Sequence, residues 1–448
     1  MGAATFIEPL MVFVLLLGGT WLNRDTDRLV SRKAYWRNAH SGSHSCDRSD
    51  SLESGLTSPT DKDELLEHRS VSPSLLVSQE KPWRKRELSI LSWKLEVLSP
   101  NTAAFRHRLL SRLLRRFPFL VECWYWALVY WTYQLGRAFT AVTLKEDTVE
   151  AARKHALQLV QIERALGLFC ELEIQHFFMR HPQLMSWTNW VYSFIHIPGT
   201  IFFLIWLYYY TTTRNRLVSP LENRLNGSPA GPPLYAARRR TMAVCNLLSF
   251  VVFTLWPCMP PRLLSDQSIQ DAIGEDRSYG FVDTVHGVSG VASVWTRNRF
   301  CNQYAAMPSL HFGYSLMIGL TVMTIPLPPK HRRSTSNRIP IFHRFSLRIS
   351  LPSWRRLVCV AMGLAYPLVI LAAIIATANH FILDAVAGAI VCFLGWWGNG
   401  VILNLLPLED CFLWLCRLHK PERQIVDVYE AVEDPDDKDA VRYAVLVR

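Results

Sequence analysis

The sequence predicts an all-α protein, a polytopic membrane helical bundle. Half of its 448 residues are hydrophobic and only 19% are charged. The hydrophobic residues collect in long runs, and a run of about 18 or more apolar residues is long enough to cross the core of a bilayer. Lys and Arg concentrate between these runs, where they set the orientation of membrane helices. The net charge of +11 is therefore assigned to loops between spans, and no nucleic-acid partner is expected.

The N-terminal third predicts an anchor helix followed by a linker. An apolar run over residues 3–22 predicts a membrane anchor within residues 1–33. Basic residues follow this run, whereas in a secretory signal peptide they precede it. Residues 34–100 are rich in Ser, Asp, Glu and Lys and have little periodicity. Such a segment buries too little apolar surface to offset the entropy of ordering, which predicts a disordered cytosolic linker.

Six further apolar runs predict a six-span membrane domain over residues 101–407, followed by an acidic cytosolic tail, 408–448. The runs lie at about 117–144, 185–210, 241–258, 308–326, 357–378 and 383–406. Between the first two, residues 147–182 show apolar residues at helical spacing with polar residues between them. This pattern predicts an amphipathic helix on the membrane surface or against the bundle.

The loop charges predict the orientation. Loops 211–240 and 327–356 are strongly basic, whereas loop 259–307 balances basic and acidic residues. The positive-inside rule places the two basic loops in the cytosol and the balanced loop outside the cell or in a lumen. We expect a multi-pass membrane protein whose active face is non-cytosolic, and its expected location is the Golgi, the ER or another endomembrane.

Three candidate residues for chemistry fall on the predicted non-cytosolic face. His311 begins one span in "MPSLH", and His380 and Asp384 follow the next span in "ATANHFILDAVAG". Because the spans at 308–326 and 357–378 form a hairpin through a basic loop, the two histidines emerge on the same side. Arg262, just after two prolines at the end of the span at 241–258, shares that face.

These residue types suit phosphoryl transfer. A neutral imidazole can attack phosphorus and carry the group as a phosphohistidine, while a second histidine protonates the departing oxygen. Asp384, one helical turn from His380, can hold its other ring nitrogen. Arg262 offers a planar donor fork for phosphate oxygens. The first turn of the span that begins near Ser309 offers unpaired N–H groups to an anion.

Blander interpretations stay open for single residues. The HxxxD pattern alone arises by chance in a chain with 14 His. His196, a lone histidine inside a span, is predicted to pack or to form a hydrogen bond. Gly280, Asp283 and Thr284 either shape the mouth of the site or form a loop turn. No Asp/Glu cluster suited to Mg²⁺ is visible on the active face, so neither a metal nor another cofactor is expected.

The motifs carry a family resemblance. "PSLH", followed two spans later by "NHFILDAVAG", resembles the type 2 phosphatidic-acid-phosphatase superfamily. "PPRLL", "GFVDT" and "RNRFCNQYAAMPSLHFGYS" are most similar to its inositol phosphorylceramide synthase and inositolphosphotransferase branch. The resemblance covers about 117–407 and implies a six-helix phosphatase-like core with its site at one membrane interface. It also implies that His380 is the nucleophile, Asp384 its partner and His311 the general acid/base.

The sequence departs from the phosphatase pattern of the superfamily in its cations. That pattern has Gly where Leu310 stands, Arg where Ile374 stands, and a Lys ahead of the Arg-Pro pair. Leu310 is shared by the inositolphosphotransferase branch. The substrate phosphate is therefore expected to be bound by the remaining candidates, which are Arg262, Arg297, Arg299, Ser309 and Asn379.

The function expected from the sequence is that of a lipid phosphotransferase. It would move a phospho-head-group from a membrane phospholipid, through a phosphohistidine, to an acceptor alcohol such as that of a sphingolipid. With water as the acceptor, the same residues would give a lipid or isoprenyl phosphate phosphatase. A third alternative is a membrane scaffold or transporter that keeps the fold while its catalysis has decayed.

Overall fold

The computed structural model describes most of the chain in atomic detail. The described residues are 4–26, 82–90, 93–142, 146–217, 229–265, 279–285, 303–331, 335–342 and 345–421. Of these residues, 75% are helical, which confirms a mainly helical fold. They divide into two compact units, one dominated by Phe117–Asn404 and one formed from Asp25–Arg116 and Leu405–Glu422.

Among the residues that the structure describes, three helical stretches are long and apolar enough to cross a membrane, which supports an integral membrane protein. They are Pro182–Thr213, Trp354–Ala376 and Ile382–Leu415. Helices also form at the other predicted spans and at the anchor, but their length or hydropathy falls short of that of a full span. The prediction of six spans plus an anchor therefore stays a prediction.

The larger unit opens with helices α1 (Ala4–Leu22), α3 (Phe119–Val142), α4 (Glu146–Ala165) and α5 (Glu171–Met179). The helix α4 is the amphipathic helix that the sequence predicts. One of its faces is buried and carries Ala152, Ala156, Leu159 and Val160. It packs with Cys258, Leu264 and Phe381 in one apolar cluster, so α4 lies against the bundle.

The longest helical stretch contains two π-helical turns. It runs through α6 (Pro182–Trp190), a π turn (Val191–Ile195), α7 (His196–Tyr208), a second π turn (Tyr209–Thr213) and α8 (Arg214–Leu217). Such turns insert an extra residue into a helix and often occur at functional sites. The helix α9 (Pro232–Leu255) follows and leads into a 3-10 turn, Pro261–Ser265.

The final helices of this unit are α10 (Leu310–Thr324), α11 (Trp354–Ala376) and α12 (Ile382–Gly398). Glycines let their backbones approach closely. A Cβ atom at Gly319 of α10 would lie 2.2 Å from the Gly363 oxygen of α11, and one at Gly388 of α12 would lie 2.3 Å from the Ser309 oxygen. Small residues are the usual contact residues between membrane helices. The close approach at Gly388 brings the start of α10 next to the first half of α12.

Two antiparallel hairpins depart from the all-α prediction. The strands β1 (Trp83–Ile90) and β2 (Trp93–Pro100) pair in the smaller unit, and β3 (Thr335–Phe342) and β4 (Phe345–Leu351) pair between α10 and α11. The first hairpin also corrects the prediction of a disordered linker that reaches residue 100. Residues 34–81 lie outside the described residues.

Long-range partners explain the first hairpin. In the smaller unit, Asp410 of α13 (Leu406–Leu415) accepts hydrogen bonds from Arg86 at 2.9 Å and from Ser99 at 2.7 Å. The smaller unit also contains the helix α2 (Leu109–Arg116). The hydroxyl of Ser111 on α2 accepts a hydrogen bond from the backbone N–H of His419. These partners are far away in sequence, so local composition does not reveal them.

Candidate active site

His380 lies in the tight turn that joins α11 to α12. The carbonyl oxygen of Ile374 accepts the backbone N–H groups of Asn379 and His380, at 3.1 and 3.3 Å. Ala378, just before them, is fully buried and has a φ of 50°. Left-handed backbone is costly for alanine and is found most often where the surrounding structure fixes the chain for a function. The turn is thus held in one unusual conformation.

The ring of His380 is oriented by a backbone carbonyl. Its Nδ1 lies 2.7 Å from the carbonyl oxygen of Ala306. Since a carbonyl only accepts hydrogen bonds, Nδ1 carries the hydrogen, and Nε2 of the neutral ring carries the lone pair. A neutral imidazole oriented in this way can act as a nucleophile through Nε2.

Asp384 is close to His380, but its nearest contact is with the backbone. Its Oδ2 accepts the N–H of Phe381 at 2.9 Å and lies 3.6 Å from Nδ1 of His380. The Asp384 backbone oxygen accepts the N–H of Ser309 at 2.9 Å. Asp384 is fully buried, so its charge acts on His380 through little water. It caps α12 and ties that helix to the start of α10.

His311, in the first turn of α10, lies beside His380. The two ring centroids are 5.6 Å apart. The ring of His311 also stacks on Tyr192 at 4.9 Å and lies 5.1 Å from the ring of His196. Tyr192 belongs to the π turn, and His196 shares a hydrogen bond of 3.1 Å with the hydroxyl of Tyr366. The structure therefore brings the two predicted histidines together, in an aromatic setting.

Arg262 and Asn379 form the polar side of the site. Arg262 is buried, and its Nε donates to Oδ1 of Asn379 at 3.1 Å. Its NH1 donates to Asp283 at 2.9 Å, and its backbone N–H donates to the oxygen of Ala378. The guanidinium is thus fixed next to the His380 turn. The sequence leaves open whether Asp283 shapes the mouth of the site or belongs to a loop turn. In the structure, Asp283 orients Arg262.

The other predicted phosphate-binding residues are Ser309, Arg297 and Arg299. The Ser309 hydroxyl accepts the N–H of Phe312 at 3.4 Å and so caps α10. Arg297 and Arg299 lie outside the described residues. Ile374, which stands where the phosphatase pattern has Arg, is fully buried in an apolar cluster with Val191, Ile370 and Ala385. In the described part of the chain, no three His, Cys, Asp or Glu side chains gather as metal ligands.

Several residues at the site carry no sequence signal for their positions. The carbonyl of Ala306 contacts His380 and the ring of Tyr192 contacts His311. Tyr192 lies outside the quoted motifs, and Ala306 lies within one without any mark of its role. Glu163 of α4 and Glu171 of α5 are fully buried and contact the first turn of α12. The sequence reveals both only as residues of an amphipathic segment. The sequence signal that could have singled them out is an acidic residue within a segment whose apolar residues are predicted to pack.

Comparison with known proteins finds a match to one family model. A family model described as the PAP2 superfamily matches residues 157–219, 230–330 and 346–398. The matched segments contain His311, His380, Asp384, Arg262 and both buried glutamates. No curated protein and no solved structure matches the chain.

Proposed function

The family match supports membership of the PAP2 superfamily, and from this premise we propose that the chain is an integral-membrane lipid phosphotransferase of the inositolphosphotransferase type. The superfamily suggests an enzyme that acts on lipid phosphates. The head-group donor would be a membrane phospholipid, and the acceptor a lipid alcohol such as that of a sphingolipid. The similarity of "PPRLL", "GFVDT", "RNRFCNQYAAMPSLHFGYS" and Leu310 to the inositolphosphotransferase branch supports this choice of reaction.

The observation that carries the proposal is the pairing of His380 with His311. The contact between Nδ1 of His380 and the Ala306 carbonyl directs the lone pair to Nε2, as a nucleophile requires. His311, with its ring centroid 5.6 Å away, is near enough to exchange a proton with an oxygen on the same phosphorus. This arrangement supports a double displacement.

Each half-reaction forms one bond to phosphorus and breaks another. Nε2 of His380 attacks the phosphorus of the donor, and the bond between phosphorus and the diacylglycerol oxygen breaks. That oxygen takes a proton from protonated His311, and the phospho-head-group stays on His380. The acceptor hydroxyl then gives its proton to His311 and attacks the phosphorus. The bond between phosphorus and Nε2 breaks, which regenerates the neutral ring of His380.

Charged groups near His380 support the same chemistry. The Asp384 carboxylate, 3.6 Å from Nδ1, stabilises the positive charge that the ring gains when Nε2 bonds to phosphorus. The fixed guanidinium of Arg262 is close to the turn and suits the oxygens of the phosphoryl group. Ile374 stands where the phosphatase pattern has an arginine. Arg262 is therefore the main cation described near His380.

A phosphatase is the second candidate. The PAP2 superfamily suggests phosphatases as well as phosphotransferases, and water can replace the lipid alcohol in the second half-reaction without any change in the protein groups. The acceptor decides between the two. A scaffold with decayed catalysis is the third alternative, and the retention of His311, His380 and Asp384 argues against it.

The test is an assay of the full chain in lipid nanodiscs. Labelled phospholipids with different head groups would be supplied with ceramide, with diacylglycerol or with water alone. We expect head-group transfer to a lipid alcohol, its loss in His380→Ala and His311→Ala, and its retention in the control His176→Ala, whose side chain is exposed. Release to water alone, as the free phospho-head-group or, from phosphatidic acid, as inorganic phosphate, would favour the phosphatase. Transfer that survives His380→Ala, or no turnover of any lipid, would contradict the proposal.

The active face is proposed to be non-cytosolic because of the loop charges. A glycosylation sequon placed within residues 265–295 is expected to be glycosylated in cells, and one placed within residues 330–350 is not. The reverse pattern would put the site in the cytosol.

A further inference from the structure

Two remote glutamates hold the start of the helix that follows His380. The first N–H groups of a helix have no partner within it. In α12, the N–H of Ile382 donates to Oε1 of Glu171 at 3.1 Å, and the N–H of Leu383 donates to Oε1 of Glu163 at 2.9 Å. Glu163 and Glu171 lie on α4 and α5, so these bonds attach the turn next to His380 to a separate part of the bundle.

The two glutamates act as a pair. Both are fully buried, and Oε2 of each finds no N–H or hydroxyl donor among the described residues. One proton held between the two carboxyl groups satisfies these oxygens. Burial, together with the hydrogen bond to Glu171, raises the pKa of Glu163 to about 8. At neutral pH Glu163 therefore keeps its proton and can donate it to Glu171.

The electrostatic surroundings of Glu163 favour a single negative charge on the pair. Glu171 and Asp384 are the acidic neighbours, and the thiols of Cys170 and Cys258 also face Glu163. A second negative charge would be repelled by these neighbours. The first is stabilised because the N-terminus of α12 carries the positive end of the helix dipole.

We propose that Glu163 and Glu171 are positioning residues that fix the first turn of α12 and, through it, the placement of His380 and Asp384. This inference rests on the proposed function of His380 as the nucleophile. Neither glutamate touches the reacting atoms. A shift of about 1 Å in a catalytic group can lower a rate by about 10²-fold, so a contact that fixes the turn affects turnover directly.

Substitutions at Glu163 distinguish the shared proton from simple packing. Glu163→Gln keeps an oxygen for the N–H of Leu383 and offers an amide N–H to Glu171, so it imitates the protonated acid. Glu163→Ala removes both bonds. We expect kcat to fall by about 10- to 100-fold in Glu163→Ala with a smaller change in KM, and to be largely kept in Glu163→Gln. The matched control is Glu150→Ala, an exposed acid on the same helix.

The pH profile supplies a readout that packing alone does not move. Above about pH 8 the wild-type pair loses its shared proton, and the resulting repulsion loosens the turn. We expect kcat of the wild type to decline there, and kcat of Glu163→Gln to persist to a higher pH than that of the wild type. Identical alkaline limbs in the two proteins, or equal losses in the Gln and Ala variants, would overturn the shared proton.

Hydrogen exchange tests the contact without any catalysis. Mass spectrometry would follow the peptide that contains Ile382 and Leu383 in the wild type, Glu163→Ala, Glu163→Gln and Glu150→Ala. We expect faster exchange in Glu163→Ala alone at neutral pH. Unchanged exchange in Glu163→Ala would refute the positioning role. If exchange changes as expected but the wild type turns over no lipid phosphate, the proposed function fails while the positioning contact stands.

Discussion

His311 and His380 lie with their ring centroids 5.6 Å apart, although two helices and a hairpin separate them in the chain. Their contact follows from the connection of α10 and α11, because α10 begins where α11 ends. The Asp384 oxygen that accepts the N–H of Ser309 closes the same region from α12. The fold thus places the two imidazoles side by side, with the Asp384 carboxylate at the Nδ1 edge of His380.

Replacement of Asp384 by Asn is expected to slow the reaction without disordering the site. The amide oxygen can still accept the N–H of Phe381, and the Ala306 carbonyl still fixes Nδ1 of His380. Only the charge is lost, and hydrogen bonds to charged groups contribute about 1.5–3 kcal/mol, so kcat should fall by about 10- to 100-fold. Steady-state kinetics would measure this. A loss near that of His380→Ala would mean that Asp384, rather than Ala306, orients the ring.

Addition of a methyl group at Gly388 is expected to separate α10 from α12. The new Cβ would lie 2.3 Å from the backbone oxygen of Ser309, which cannot move without α10. Overpacking of this kind costs about 1–3 kcal/mol, and it would also displace His311 from His380. Thermal unfolding and turnover of Gly388→Ala would show both effects. The matched control is Gly398→Ala on the same helix, where the methyl group meets no atom within 4 Å. Equal behaviour of the two variants would contradict the packing account.

Arg262→Lys is expected to weaken substrate binding even though it keeps the positive charge. A lysine cannot bond Asn379 and Asp283 with one planar group. We expect kcat/KM to fall by about 10- to 100-fold, which corresponds to about 1.5–3 kcal/mol. The control is Arg356→Lys at the start of α11, a half-buried arginine that donates to two backbone oxygens. Full activity of Arg262→Lys would rule out a role for the guanidinium fork.

The stability of the protein should depend on pH through Glu163. Burial and the bond to Glu171 raise its pKa to about 8, so the folded protein keeps a proton that the unfolded chain releases near the ordinary pKa of Glu. Stability therefore falls as the pH rises from about 5 to about 8. The apparent Tm of the wild type should drop over this range more than that of Glu163→Gln. Parallel curves for the two proteins would place the titrating group elsewhere.

The sequence predicts the helices and the main residues of the site for clear physical reasons. Apolar runs give the positions of the helices, and the hairpin topology brings His311 near His380. Other features depend on groups that the sequence does not distinguish. Every residue has a carbonyl, so the role of Ala306 has no signature. Tyr192, which meets His311, lies in a π turn that the sequence does not mark.

Tertiary partners account for the remaining differences. Residues 83–100 look like a polar linker until Asp410, far along the chain, is brought against Arg86 and Ser99. Glu163 looks like a solvated residue of an amphipathic helix until the N-terminus of α12 is placed beside it. In both cases local polarity does not reveal the distant partner that buries the residue.

Trapping of the covalent intermediate tests the central claim most directly. The wild type, His380→Ala and His311→Ala would be mixed with phospholipid labelled at phosphorus and quenched within milliseconds to seconds, and labelled peptides would be sequenced. We expect an acid-labile, alkali-stable label on the peptide that contains His380 in the wild type, and none in His380→Ala. Label found on another residue, or turnover with no label on the chain, would contradict the account.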